Sequence, residues 1–206
     1  MIPTCIAVAS AKGGVGKSTT AVSLAHSLAK HVENEHADGT VLLIDFDPQC
    51  HATIGYDLEP GSGNRRLSEL FAEAATERRG DAAPLHEVVV DTRIPHLSIL
   101  PGDPLLEGAV ARPGILPRII RPYMEQIAFC IIDCPPNMGF VTANALHTQA
   151  EFPRGIVLTP LQQARWSLEG LAQFLDVLEE QLLGVAATEA AKVQDSVDDR
   201  ANFHCQ

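Results

Sequence analysis

The stretch Ala11-Lys12-Gly13-Gly14-Val15-Gly16-Lys17-Ser18-Thr19 limits what this chain can become more than any other. It follows a short β-rich run, Cys5 to Ala9. It precedes a helical pattern from Thr19 to Lys30 that sets Ala21, Leu24, Ala25 and Leu28 on one face. Glycines between a strand and a helix let backbone N–H groups turn toward one point, and the helix adds the positive end of its dipole there. A phosphate group suits that point. Lys17 is placed to reach β- and γ-phosphates, and the Ser18 hydroxyl is placed to ligate Mg²⁺. An ordinary glycine turn before a helix requires neither the lysine nor the hydroxyl in this register, so the loop reads as a phosphate cradle.

Such a loop needs a sheet to anchor it, and the rest of the chain supplies one. Val41-Leu42-Leu43-Ile44 is a continuous apolar run of the kind buried on both faces of a parallel sheet. Weaker strands are expected at Val88–Val90 and Leu97–Leu100, stronger ones at Phe129–Ile132 and Gly155–Leu158, and an amphipathic helix over Leu168–Leu183. Gly61–Asn64 reads as a loop, and Pro95–Pro122 as mixed loop and short helix. The alternation predicts an α/β fold, a mostly parallel twisted sheet with helices on both faces. One domain is expected over 1–183, followed by a weakly helical or disordered tail over 184–206.

Composition excludes several classes. The chain has 206 residues, of which 46% are hydrophobic and 20% charged, too apolar for a disordered protein. Its apolar runs fall far short of the roughly eighteen residues of a membrane span. The apolar N-terminus lacks the basic segment of a cleaved signal. Five cysteines, Cys5, Cys50, Cys130, Cys134 and Cys205, give no disulfide framework and point to a reducing compartment, the cytoplasm. Cys130 and Cys134 read as buried small hydrophobes rather than half of a metal site. A net charge of -11 argues against a generally basic nucleic-acid binder while leaving room for a local basic patch.

Two acidic motifs share the phosphate loop's setting. Asp45-Phe46-Asp47-Pro48-Gln49 follows the second strand and leads into His51-Ala52-Thr53. Ile131-Ile132-Asp133-Cys134-Pro135-Pro136 ends another strand in an aspartate. Residues just past the carboxyl ends of parallel strands lie where open α/β sheets bind ligands, and an aspartate there can hold Mg²⁺ through a water.

The loop departs from the G-x-x-x-x-G-K-[ST] pattern, because Ala11 stands at the first glycine and Lys12 precedes the paired glycines. In this it resembles the deviant Walker A ATPases, the ParA and MinD family of P-loop NTPase-like proteins, whose loop reads K-G-G-x-G-K-[ST]. The D-x-D-P-Q-x-x-A-T and I-I-D-x-P-P segments are similar to that family's. So are Thr159-Pro160-Leu161-Gln162 and Ser167-Leu168-Glu169-Gly170-Leu171, and the likeness runs from residue 4 to about 183. The resemblance implies ATP and Mg²⁺ as ligands, with Lys12, Gly13, Gly14, Val15, Gly16, Lys17, Ser18 and Thr19 around the nucleotide. It implies a metal site of Ser18, Asp45 and Asp133, and catalysis by Lys12, Lys17 and Asp47. Lys12 would cross the interface of an ATP-sandwiched homodimer to the partner's nucleotide, while Asp47 would position or activate the attacking water.

Within that family the chain looks closest to the small ParA type. The tail, ending Asp198-Asp199-Arg200-Ala201-Asn202-Phe203-His204-Cys205-Gln206, has neither the basic face nor the apolar stripe of a MinD-like membrane helix, so no stable membrane binding is expected. A first strand near Thr4 leaves no room for an N-terminal helix-turn-helix. The small ParA type implies an ATP-hydrolysing partition protein for chromosome or plasmid segregation. It would bind DNA non-specifically as a dimer, associate with the nucleoid and be switched by a ParB-like partner. Arg112, Arg118 and Arg121, with no acid between them, form the candidate DNA patch; Arg65, Arg66, Arg78 and Arg79 form a more scattered one, and either set is equally consistent with a solvated surface. The family pattern fades after Leu183, as in a naturally shortened member or a truncated product. Two other readings stay open: an ATPase that positions other machinery without DNA binding, and a nucleotide-binding fragment without turnover.

Overall fold

A computed structural model describes residues 2–36, 38–76, 85–109, 113–137 and 139–161, together with 172, 175, 176 and 179. The strands are β1 (Thr4–Val8), β2 (Thr40–Asp45), β3 (Val90–Asp91), β4 (Leu97–Leu100), β5 (Ile127–Asp133) and β6 (Arg154–Leu158). The helices are α1 (Lys17–Asn34), α2 (His51–Gly55), α3 (Leu67–Thr76), α4 (Leu106–Ala109), α5 (Ile115–Ile120) and α6 (Phe140–Glu151), with 3-10 turns at Leu85–Glu87 and Arg121–Gln126. One sheet forms in the order β3-β4-β2-β5-β1-β6, parallel throughout except for the antiparallel β3–β4 pair.

The apolar run of β2 explains the layering. Successive side chains of a strand point to opposite faces. Val41 and Leu43 therefore join one core with Ala21, Ala25, Ala29 and Val32 of α1, while Leu42 and Ile44 join another with Leu67, Leu70 and Phe71 of α3 and Ile115 and Ile119 of α5. A strand buried on both faces has no place for a polar residue until its end. Asp45 is that end, and its register partner on β5 is Asp133, which in turn faces Val8 of β1. Three strand ends thus lie in one row. Backbone bonds carry the ladder past them, Phe46 N–H donating to the Asp133 carbonyl (2.9 Å) and Cys134 N–H to the Val8 carbonyl (3.1 Å).

The expected α/β architecture is present, and the expected strands from Cys5, Val41, Leu97, Phe129 and Gly155 all exist. The strand expected at Val88–Val90 is corrected. Val88 and Val89 donate to the Leu85 carbonyl in a turn, Val88 is buried in the core, and only Val90 enters β3, antiparallel to Ile99. A run of β-branched residues here fills a core gap rather than adding a parallel strand. Of the helix expected over 168–183, the described residues 172, 175, 176 and 179 are helical; Gln162, 167–171 and the tail 184–206 lie outside the described residues.

Candidate functional site

The loop between β1 and α1 adopts the backbone its glycines allow. Gly14 (φ 72°) and Gly16 (φ 91°) are left-handed, and a Cβ at either would meet nothing within 4 Å, so conformation rather than space demands glycine there. Gly16 caps α1 with no side-chain hydrogen bond, and the first turn carries no acidic residue, so the helix's own sequence leaves the positive end of its dipole uncompensated. Lys17 is only 6% exposed and donates from Nζ to the Lys12 carbonyl at 3.3 Å. An ammonium held this far from water suits a polyanion. Lys12 itself is exposed, its N–H donating to Ser10 Oγ at 3.3 Å.

A cavity of about 360 Å³ opens over this loop. Gly13, Gly14, Gly16, Lys17, Ser18 and Thr19 form one side of it, Asp47, Gln49 and His51 from the exit of β2 another, and Pro136 after β5 closes it. That volume falls in the range of small-molecule sites. Val15 and Lys12 are on the same loop but do not line the cavity.

The three carboxylates have different environments. Asp45, fully buried, is consumed by its neighbours: Oδ2 accepts from Thr53 N–H (2.7 Å) and Thr53 Oγ1 (2.6 Å), and Oδ1 accepts from Asp47 N–H (3.4 Å). Burial pushes its carboxyl above the ordinary value while the Thr53 bonds pull it back. Asp47 faces the cavity and accepts from Gln49 N–H at 2.9 Å. Asp133 is fully buried, and neither of its oxygens meets a hydrogen-bond partner among the described residues. Burial pushes its carboxyl up to about 7; the Ser18 hydroxyl is near enough to draw it down without completing a hydrogen bond, Asp45 and Asp47 raise it, and Lys17 lowers it. A buried carboxylate with open lone pairs beside a serine hydroxyl is a donor set that a hard cation such as Mg²⁺ fits.

Residues outside the anticipated set hold this arrangement. Thr53 Oγ1, besides donating to Asp45, accepts from Gly102 N–H at 2.7 Å. A Cβ on Gly102 would fall 2.8 Å from both Asp45 Oδ2 and Cys50 Sγ, so the β4 exit passes over Asp45 only because this residue has no side chain. Gln49, His51 and Pro136 join the cavity wall through the motifs that contain Asp47 and Asp133. Gly102 leaves no trace in the sequence beyond a Pro-Gly-Asp turn, because its importance depends on β4 pairing with β2.

The arginine patches fare differently from their local sequence. Arg118 is exposed on α5 and donates to the Ala74 carbonyl (3.3 Å). Arg121 pairs with Glu151 and lies 5.7 Å over the Phe152 ring, so an acid thirty residues away enters a stretch that is acid-free along the chain. Arg65 pairs with Glu69 (3.7 Å), Glu73 and Glu87 (3.5 Å), and Arg66 with Asp103 (3.4 Å). Arg112, Arg78 and Arg79 lie outside the described residues. Cys130 and Cys134 are buried, and the described residues hold no group of three or more His, Cys, Asp or Glu placed to bind a metal. Nor is any described helix long and apolar enough to cross a membrane.

Known proteins are similar to this chain in sequence and fold. The profile of the AAA_31 family, an AAA domain, matches residues 3–183. The chromosome partitioning protein ParA of Myxococcus xanthus (strain DK1622) is 34% identical over 181 residues, covering 84% of this chain and 57% of that protein. The sporulation initiation inhibitor protein Soj of Bacillus subtilis (strain 168) is 31% identical over 180 residues, covering 84% and 64%. The crystal structure of cobyrinic acid a,c-diamide synthase from Mycobacterium smegmatis with bound ATP analogue and magnesium superposes with a TM-score of 0.70 at 29% identity, covering 87% of this chain and 68% of that one. The chain spans about three fifths of the length of the two partition proteins. With the family profile matched over most of its length and Lys12 set before the paired glycines of its loop, the chain belongs to the AAA_31 family, of the ParA/MinD type.

Proposed function

We propose that this chain is a ParA-like partition ATPase that binds and hydrolyses Mg²⁺-ATP in the cavity over the β1–α1 loop. The observation that carries the reading is the grouping of the withdrawn Lys17 ammonium, the Ser18 hydroxyl and the unpartnered Asp133 carboxylate at the carboxyl ends of β1 and β5. Lys17 holds the phosphates from below, with the backbone of Gly13 to Thr19 around them. Ser18 and Asp133 would hold the metal, which would offset phosphate charge. Asp45 supports that site through Thr53 rather than through a free oxygen. Asp47, on the opposite cavity wall, orients the attacking water and takes its proton. Lys12, exposed on the loop, reaches the nucleotide of a second copy across an ATP-dependent dimer interface.

In the full reading the dimer binds DNA without sequence preference, is stimulated by a ParB-like protein and works in the cytoplasm on the nucleoid. The solution mass of Asp47→Ala tests it. Light scattering should give a mass that doubles with Mg²⁺-ATP, and the dimer should bind duplex DNA with an affinity that falls steeply with salt. A monomer under both conditions would contradict the dimer switch. A second reading keeps the ATPase but positions other machinery without DNA, and the Arg121–Glu151 pair favours it by neutralising part of the candidate patch. An ATP-dependent dimer that ignores DNA at low salt would select it.

A further inference from the structure

On the nucleotide-binding reading above, we infer that His51 is an additional contact for the phosphates of the bound nucleotide. His51 opens α2, is exposed, and lines the same cavity as Lys17, Ser18 and Thr19. The packing of α2 on α1 puts it there. Tyr56 donates from its hydroxyl to the Val22 carbonyl (3.2 Å), and a Cβ on Gly55 would lie 3.8 Å from Val22 Cγ2. His51 precedes Gly55 by four residues and Ser18 precedes Val22 by four, so one helical turn back the two faces meet at the cavity wall.

The backbone under His51 is fixed from both sides. Cys50 is held left-handed (φ 57°), a conformation unusual outside glycine, by its N–H bond to the Asp47 carbonyl (2.9 Å) and the Ile54 N–H bond to its own carbonyl (3.0 Å). Thr53 is tied down by Asp45. The imidazole, by contrast, has no hydrogen-bond or ion-pair partner among the described residues. A rigidly mounted ring with both nitrogens open, on the wall of a phosphate cavity, can donate to a phosphate oxygen. The charged groups that line the cavity with it are Lys17 of α1 and Asp47.

Calorimetric titration with a non-hydrolysable ATP analogue and Mg²⁺ would compare wild type, His51→Ala and His51→Lys. The expected result is binding by His51→Ala weaker than wild type by about fivefold. His51→Lys should match or exceed wild type. Equal affinity of wild type and His51→Ala would overturn the inference, as would unchanged affinity with a lost ATP-dependent dimer, which would place His51 against a second copy. Absence of saturable binding by the wild-type chain would instead defeat the nucleotide reading itself and this inference with it.

Discussion

Ionising Asp133 in the folded chain places a charge on a buried carboxylate whose oxygens complete no hydrogen bond among the described residues, and that carries a stability cost. Its pKa is 3.8 unfolded and about 7 folded. Between those values the folded chain holds the extra proton, so stability present below about pH 4 is lost progressively as pH rises to about 7 and stays lost above it. Asp133→Asn in the nucleotide-free chain should therefore be more stable than wild type at pH 8 by on the order of 2–4 kcal/mol, with little difference near pH 4. Calorimetric melts at the two pH values check this, and equal melting temperatures at pH 8 would count against the environment described. The two loop lysines should separate as well. Lys17→Ala removes the buried cation and should abolish nucleotide binding, whereas Lys12→Ala should leave binding largely intact while losing turnover and dimerisation. Equal loss of binding in both would remove the role in trans assigned to Lys12. That the loop of Lys12 and Lys17 and the strand ends carrying Asp47 and Asp133 lie at one end of the sheet was legible in the sequence, because each follows the carboxyl end of an apolar strand. Lys17's burial and Asp133's missing partners were not, since both follow from packing among strands distant in sequence.

The β2–α2 unit is where an element, rather than a residue, sets the site. Asp45 ends β2 and reaches forward to both the N–H and the hydroxyl of Thr53, which fixes the segment carrying Asp47, Gln49 and His51 against the loop. Thr53→Val removes the hydroxyl that donates to Asp45 and accepts from Gly102, and should cost about 1–3 kcal/mol. Gly102→Ala drives a Cβ to within 2.8 Å of an Asp45 oxygen that Thr53 already pins, and should cost a similar ~1–3 kcal/mol. Denaturant melts of both variants measure these losses, and a neutral effect of either would show that the β4 exit yields easily. None of this was legible beforehand, because the five residues of α2 are too few for a helical period and Gly102 meets Asp45 through strand pairing alone. α3 is a different omission. Leu67, Leu70, Phe71 and Ala74 have helical spacing and all are buried, so the pattern was present in the sequence. α6 had no such stripe to read, since polar Thr142, Asn144 and Thr148 are buried beside its apolar residues.

At the scale of the whole molecule, the strand order brings β1, β2 and β5 together at the centre of the sheet, and their carboxyl ends carry the loop, Asp47 and Asp133. The α/β class and the position of the site at one end of a parallel sheet were readable from the alternation of apolar runs with helical stretches. The charge distribution was not, because Glu151 reaches Arg121 and Glu73 reaches Arg65 only through folding. Those pairs leave Arg65 and Arg121 less available to phosphate than a count along the chain suggests, so Arg121→Ala should weaken binding of the ATP dimer to duplex DNA by less than about threefold, measured by titration at fixed salt. The partition reading depends on Mg²⁺-ATP binding in the cavity over the β1–α1 loop. Calorimetric titration of ATP into the wild-type chain and Lys17→Ala, each with Mg²⁺ and with chelator, tests that binding. Saturable binding of one nucleotide per wild-type chain is expected, weakened by chelation and absent in Lys17→Ala. No binding by wild type, or the same binding by Lys17→Ala, would contradict it.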